Sequence, residues 1–424
     1  MSRVFPESFV FGVATAAYQV EGGIDNDWSD WERAGKCKEP HVRCGRSVDH
    51  WNRFDEDVGL IQKLGASAYR MSVEWARVEP EPGKFDDAAW ASYRTRLERL
   101  GARGIRPVVT MHHFTHPRWF PAQTPWHEPS CLRSWERYAK KFAQLVQGLD
   151  VAVVTFNEPM VFLLGGYLAA QMPPGIADAR KAWAALANLA RAHVIARAAL
   201  LDVSPRVTVG ISQHLMDFVP ARRWHPIDQA LTRLADSSFN HALLEALTTG
   251  ELKIRMPGIA TGATKIDGGR DSMEYLGINY YTRSHLKFVA GKPFVQFEFR
   301  DVHQRGLTDI GWEYYPEGFG RLLRTLKRYD KQVWVTENGI DDRTGLRRTK
   351  FIHDHLNQVL DARADGVDVQ SYLHWSLLDN FEWLEGWGPR FGLYRVDFQT
   401  LERTATPACD YFRSVVDTRT VPSL

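Results

Sequence analysis

Val151-Ala152-Val153-Val154-Thr155-Phe156-Asn157-Glu158-Pro159 reads as a short buried strand that ends on a glutamate and a proline stop. A second stretch, Val333-Trp334-Val335-Thr336-Glu337-Asn338-Gly339, repeats that design and delivers one more glutamate where an apolar run ends. Taken singly, Asn-Glu-Pro is a strand end closed by proline, and Glu-Asn-Gly is a turn using the positive φ open to glycine. Taken together, they are two strand ends able to aim two carboxylates at one substrate. Glycosidic bond cleavage needs such a pair, because the leaving oxygen is protonated while the opposite face of the anomeric carbon is attacked.

Six further runs of apolar, β-branched or aromatic residues accompany these two. The eight lie at 10–14, 68–73, 107–111, 151–156, 207–211, 275–280, 333–335 and 369–375. Helical periodicity appears in the intervening and closing stretches, at 48–64, 88–103, 132–146, 182–201, 227–247, 318–329, 349–364 and 408–416. Eight strand-then-helix units predict an α/β fold, a (β/α)8 TIM barrel. Length alone suggests two or three domains, but no Pro/Ser/Gly-rich spacer, low-complexity tract or internal repeat divides the chain. The expectation is one catalytic domain over residues 1–424. Such a barrel carries its active site at the C-terminal ends of the strands. Gln19, Arg70, His113, Asn157 with Glu158, Asn279 with Tyr281, Glu337 and Trp375 all fall at or just beyond run ends.

The balance of 53 basic against 51 acidic residues leaves a formal charge of +2, too small to imply nucleic acid as a partner. No 18 successive apolar residues occur, so no membrane span is expected. The amino-terminal Met1-Ser2-Arg3-Val4-Phe5-Pro6-Glu7 lacks the apolar centre of an export signal. These features predict a cytoplasmic enzyme acting on a small molecule. Cys37, Cys44, Cys131 and Cys409 form no C-x-x-C pair and read as reduced thiols, with Cys37 and Cys44 near enough in one loop to meet.

His112-His113-Phe114-Thr115-His116 raises metal-dependent hydrolysis as a competing class. Successive strand side chains face opposite sides, so His112 and His113 do not readily share one ion, and no further Asp/His set completes the usual ligand number. No metal and no other cofactor is expected.

Three segments in fixed order carry a resemblance: Thr155-Phe156-Asn157-Glu158-Pro159, Thr336-Glu337-Asn338-Gly339, and Trp375-Ser376-Leu377-Leu378-Asp379-Asn380-Phe381-Glu382-Trp383. With Phe9-Val10-Phe11-Gly12-Val13-Ala14-Thr15 at one end and Arg390-Phe391-Gly392-Leu393-Tyr394-Arg395-Val396-Asp397 at the other, the chain resembles glycoside hydrolase family 1 over almost its whole length. That family comprises retaining β-glucosidases and β-galactosidases on a (β/α)8 barrel. The resemblance implies that Glu158 is the acid/base, Glu337 the nucleophile and Asn157 the partner of the sugar 2-hydroxyl. It implies that Gln19, His113, Glu382 and Trp383 grip the remaining hydroxyls, that Trp375 is the floor under the sugar, and that Arg70 and Tyr281 support the nucleophile. Asn279 is grouped with that supporting pair. Outside the ordered set, Trp375 and Trp383 read as core aromatics, and Gln19 and Asn279 as satisfied core amides.

A retaining mechanism needs the two carboxyls about 5 to 5.5 Å apart. Glu337, beside a guanidinium and a phenol, is expected to be ionised, and Glu158, facing that charge, to hold its proton. The implied activity is exo-acting retaining β-glycoside hydrolysis through a covalent glycosyl-enzyme, β-glucosidase foremost, with β-galactosidase and β-fucosidase activity as companions. The alternatives are a 6-phospho-β-glycosidase, a sugar-binding relative and a transglycosylating relative. Glu382 weighs against the first, because a carboxylate repels a phosphate dianion. The presence of both glutamates weighs against pure binding. His116 stands where the resemblance implies an apolar residue, and 215–273 and 282–311 are short for the family. Trp126, His127, Tyr167, Gln171 and Trp312 either line the mouth or pack its loops. Oligomeric state is not legible.

Overall fold

The computed structural model describes residues 3–256, 260–291 and 296–424. Eight parallel strands close into a barrel: β1 (Val10–Ala14), β2 (Ala68–Ser72), β3 (Arg106–His112), β4 (Ala152–Asn157), β5 (Thr208–His214), β6 (Tyr275–Tyr280), β7 (Gln332–Asn338) and β8 (Val369–Trp375). Each pairs with its sequence neighbours, and β8 closes on β1 through Val10↔Ser371 to Ala14↔Trp375. The major helices after successive strands are α1 (His50–Lys63), α2 (Asp87–Ala102), α3 (Cys131–Val146), α4 (Ala179–Val203), α5 (Ala242–Thr249), α6 (Pro316–Thr325), α7 (Arg348–Ala364) and α8 (Pro407–Thr418). The expected (β/α)8 order is therefore the observed one.

The barrel interior is layered. Ala68, Val108, Ala152, Val154, Tyr275, Trp334 and Leu373 form an apolar plug, with Val10 against it. The Tyr275 and Trp334 rings stack at 4.5 Å, and there is room for them because β5 carries Gly210 opposite. A Cβ there would come within 2.9 Å of the Tyr275 ring. Two residues further along four strands, on the same face because side chains alternate, stand Arg70, Thr110, Ser212 and Thr336. The interior thus turns from apolar to polar toward the strands' carboxyl ends.

Outside the barrel the helices bury apolar stripes. On α3, Cys131, Trp135, Tyr138, Phe142 and Val146 recur at three- and four-residue spacing and are all buried. Trp135 stacks on Phe156 of β4 at 4.7 Å, tying this helix to the strand that ends on Glu158. α4 is long and apolar enough to cross a bilayer by composition. Here it is the barrel helix that follows β4, with Trp135 Nε1 donating to the Ala192 carbonyl.

The expected helix at 227–247 is interrupted. Pro226–Ala235 and α5 are joined by a π-helical stretch, Asp236–His241, where the Asn240 side chain bonds both the amide and the carbonyl of Met216. Shorter strands also escaped the periodicity reading, because they are polar or only three to six residues long. They comprise a sheet of Asp217–Pro220, Arg283–Lys287 and Gln296–Glu298, a hairpin of Glu251–Met256 with Ala260–Lys265, and a ribbon of Tyr394–Val396 with Arg403–Ala405. All four cysteines are buried free thiols, and Cys44 Sγ turns to the Tyr18 carbonyl, so Cys37 and Cys44 do not pair.

Candidate active site

A cavity of about 560 Å³ opens at the carboxyl ends of the strands, and Gln19, His113, Asn157, Glu158, Tyr281, Glu337, Trp375, Glu382 and Trp383 all line it. Arg70 and Asn279, the other two expected site residues, lie among the buried polar groups beneath that lining.

Irregular pairing delivers both glutamates. The register of β4 against β5 shifts between Val154 and Asn157, and that of β7 against β6 shifts between Val335 and Glu337. Such shifts re-aim side chains at strand ends. Glu158 sits at φ 45°, ψ 55°, in the left-handed region that non-glycine residues seldom occupy. Its amide donates to Ser212 O at 2.6 Å, and Pro159 starts the next short helix. Phe114 (φ 69°) and Trp383 (φ 50°), both in the cavity wall, share this unusual backbone. Gly339 does not: a Cβ there would stand 1.8 Å from the Trp375 carbonyl. Close approach, rather than a positive φ, is why Glu-Asn-Gly ends in glycine.

Glu337 is held at both oxygens. Arg70 Nη1 donates to Oε1 at 2.5 Å and Tyr281 Oη donates to Oε2 at 2.6 Å. Arg70 also donates from Nη2 to Asn157 Oδ1 at 2.6 Å and from Nε to Thr110 Oγ1 at 3.1 Å, so one guanidinium ties β2 to β3, β4 and β7. Asn157 Nδ2 then donates to His113 Nε2 at 3.1 Å. That bond makes Nε2 the lone-pair nitrogen and leaves a hydrogen on Nδ1. Burial, with Arg70 and His112 adding to it, holds the His113 imidazole well below its ordinary range, so it is neutral.

Asn279 lies elsewhere than expected. Its Nδ2 donates to Glu158 Oε1 at 2.8 Å and Asn157 Oδ1 at 3.1 Å, while its Oδ1 accepts from Ser212 and Thr336. It supports Glu158 rather than Glu337. Glu158 Oε1 also faces His214 Nδ1 at 3.1 Å, and Oε2 has no hydrogen-bond partner among the described residues.

The charge order in the cavity also differs from expectation. Burial pushes the Glu337 carboxyl up to about 7, with the Glu158 charge adding and Arg70 opposing. Burial raises Glu158 too, but the charge of a protonated His214 and the bonds from His214 and Asn279 outweigh it and hold Glu158 below the ordinary range. The two carboxylate charges repel each other, so an ionised Glu337 favours a proton on Glu158.

Gln19 Nε2 donates to Asn380 Oδ1, Phe381 O and Glu382 Oε2, the last at 3.2 Å. Its Oε1 and His113 Nδ1 are buried polar atoms without a protein partner, one an acceptor and one a donor. Burial and the charges of Glu337, Asp341 and Glu158 raise the Glu382 carboxyl well above its ordinary range. His113 stacks between Trp375 and Trp383, each 6.0 Å away.

Of the five candidate mouth residues, Gln171 and Trp312 line the cavity. Trp126 is buried, and His127 and Tyr167 pack on each other. His116 is held in a buried network: its N and Nδ1 meet Asp27, and its Nε2 accepts from Trp126 Nε1 at 2.8 Å. Both ring nitrogens are occupied, and among the described residues no group of three or more His, Cys, Asp or Glu side chains is placed to hold a metal ion. Sequence reasoning missed Thr110, Ser212, His214 and Thr336. Only steps of two along the strands, from Val108 to Thr110, from Gly210 through Ser212 to His214 and from Trp334 to Thr336, marked them as facing inward.

A closed parallel barrel with two buried carboxyls at strand ends, one bound to an arginine and a tyrosine, fits the glycoside hydrolase class. The sequence model of Glycosyl hydrolase family 1 matches residues 1–421, and the chain belongs to that family. It is 33% identical to a beta-glucosidase of Agrobacterium sp. (strain ATCC 21400), covering 94% of this chain and 92% of that one. It is 28% identical to a beta-galactosidase of Pyrococcus woesei, with 97% of each covered. The structure of a beta-glycosidase from Pyrococcus horikoshii superposes with a TM-score of 0.92 at 36% identity, covering 100% of this chain and 97% of that one. The protein is thus a retaining β-glycosidase acting on small-molecule glycosides.

Proposed function

We propose that Glu337 is the nucleophile and Glu158 the acid/base, and that β-glucosides are the preferred substrates, with β-galactosides and β-fucosides accepted. The observation that carries the assignment is the asymmetry of the two carboxyls: both Glu337 oxygens are engaged by Arg70 and Tyr281, while Glu158 keeps Oε2 free to carry a proton. In the first step a Glu337 oxygen bonds to C1 of the sugar. The glycosidic C1–O bond breaks and the Glu158 proton goes to the departing oxygen. Esterification neutralises Glu337 and removes the repulsion on Glu158, which can then act as a base. Water next bonds to C1, gives its proton to Glu158, and the ester breaks to restore the Glu337 carboxylate.

Gln19 Oε1 and His113 Nδ1, the unpartnered acceptor and donor, are suited to sugar hydroxyls, and Trp375 offers a flat ring to the apolar face of the pyranose. The cavity wall weighs against a phosphorylated sugar. Glu158, Glu337, Glu382 and Glu385 line it, Arg70 is engaged by Glu337 beneath it, and Lys38 at the rim is paired with Glu385.

The test is steady-state hydrolysis of aryl β-glucoside, β-galactoside, β-fucoside and 6-phospho-β-glucoside by wild type, Glu337→Gly and Glu158→Ala, with and without azide. Loss in both variants, with azide giving α-glycosyl azide from the first and β-glycosyl azide from the second, is the expected result. Turnover of the phosphorylated glycoside alone would overturn the substrate reading.

A further inference from the structure

We propose that His214 is a positioning residue for acid catalysis: its Nδ1–H holds Glu158 Oε1 so that the opposite oxygen, Oε2, presents the proton to the leaving group. This rests on Glu158 being the acid/base.

His214 ends β5, where its backbone registers with Asn279 of β6 and the next amide, Leu215 N, donates to Asn279 O at 2.9 Å. The same strand accepts the Glu158 amide at Ser212 O, so the backbones of Glu158 and His214 are coupled two residues apart. The His214 side chain is 8% exposed and its imidazole stacks on the Tyr281 ring, with centroids 5.9 Å apart and planes 16° apart. Phe239, from the π-helical stretch, meets it edge-on at 6.0 Å. Both rings restrain the imidazole plane. The titratable groups in contact with it are Glu158 and Tyr281, and Tyr281 leads on to Glu337 and Arg70.

The direction of the bond follows from the donors already present. Asn279 Nδ2 can only donate to Oε1, so Oε1 is an acceptor and a proton on Glu158 sits at Oε2. His214 Nδ1 therefore donates as well. Its Nε2 is buried with no protein partner, so the ring's one hydrogen bond to the protein is the one that Nδ1 donates to Oε1. Two N–H groups converging on one oxygen orient the carboxyl plane and leave the second oxygen to the substrate. Asn279 alone restrains one direction, and His214 supplies the other.

The test separates aiming from packing. His214→Phe keeps the rings stacked and removes the donor, whereas His214→Asn keeps an N–H near the Nδ1 position and removes the ring. Proton donation matters for methyl β-glucoside, whose leaving alkoxide is strongly basic, and hardly at all for dinitrophenyl β-glucoside. General acid catalysis is worth roughly 10²–10⁴-fold, so mis-aiming it in His214→Phe is expected to lower kcat/KM on the methyl glycoside by about 10- to 100-fold and on the dinitrophenyl glycoside by less than about threefold. His214→Asn is expected to keep most of the wild-type ratio between the two substrates. Equal losses on both substrates, or no loss on either, overturns the proposal. In the wild type, ¹⁵N NMR of the ring is expected to show the Nδ1–H tautomer, and an Nε2–H tautomer overturns it even where a variant does not fold. Glu158→Gln serves as the control. If it shows no dependence on leaving group, the acid/base assignment itself fails, a result distinct from a failure confined to His214.

Discussion

Arg70 and Glu337 form an ion pair 2.5 Å long whose side chains are 1% and 4% exposed, at the level where the barrel interior changes from apolar to polar. Neither partner has water to fall back on, so each depends on the other for solvation. Removing one member of a buried pair typically costs about 3–5 kcal/mol, because the remaining charge is left uncompensated. Arg70→Ala is therefore expected to lower the denaturation midpoint and to slow the chemical step more than it weakens binding of a neutral sugar inhibitor. Comparing kcat with the inhibitor Kd checks this, and equal loss of both would argue against a role at the nucleophile.

Tyr281→Phe removes the phenolic donor to Glu337 Oε2 while keeping the ring against His214. That bond opposes burial, which pushes the Glu337 carboxyl up to about 7 even with the donor in place. The nucleophile must be ionised, so kcat/KM falls as pH drops through its pKa, and losing the donor moves that acidic limb to higher pH. A pH profile of wild type and variant on an aryl glycoside reads the shift. An unmoved or more acidic limb contradicts the role given to Tyr281.

Glu382 binds Gln19 and faces the same cavity as Glu158 and Glu337. Leaving a buried hydrogen-bonding group unpaired costs roughly 1–3 kcal/mol, so Glu382→Ala is expected to cut kcat/KM on β-glucosides by about 5- to 100-fold. The same change removes one acidic group from the wall. Activity on a 6-phospho-β-glucoside, measured relative to the glucoside, should rise as a ratio in Glu382→Ser.

Gly339→Ala places a methyl 1.8 Å from the Trp375 carbonyl, against backbone that cannot swing aside as a flexible side chain would. Overpacking of this kind costs about 1–3 kcal/mol or more. The variant is expected to melt earlier and to bind a sugar inhibitor more weakly, because Trp375 shifts with its backbone. Thermal denaturation together with inhibitor titration tests both effects, and an unchanged Kd would detach Gly339 from the site.

Much of this protein is local enough to be written in its sequence. Apolar runs ending in Glu158 and Glu337 require no distant information, since strand burial and the alternation of side chains operate residue by residue. The eight strands consequently begin and end within a few residues of the runs, and the pocket contains the expected Gln19, His113, Asn157, Trp375, Glu382 and Trp383. The helix expected at 227–247 was not legible as interrupted, because its break comes from Asn240 bonding Met216 outside the helix.

What the tertiary structure alone decided is which atoms meet. Asn279 and Tyr281 are two residues apart, yet one bonds Glu158 and the other Glu337, because barrel closure and the register shifts in β4 and β7 set which neighbour each reaches. His214 and His116 look alike in sequence, but His116 is locked between Asp27 and Trp126 while His214 lies against Glu158. By itself the sequence determined the barrel and the two glutamates, through periodicity and strand ends. The partner of each glutamate, and the order in which the pair ionises, came only from the closed fold, because hydrogen bonds and charge interactions act over a few ångströms between strands far apart in the chain.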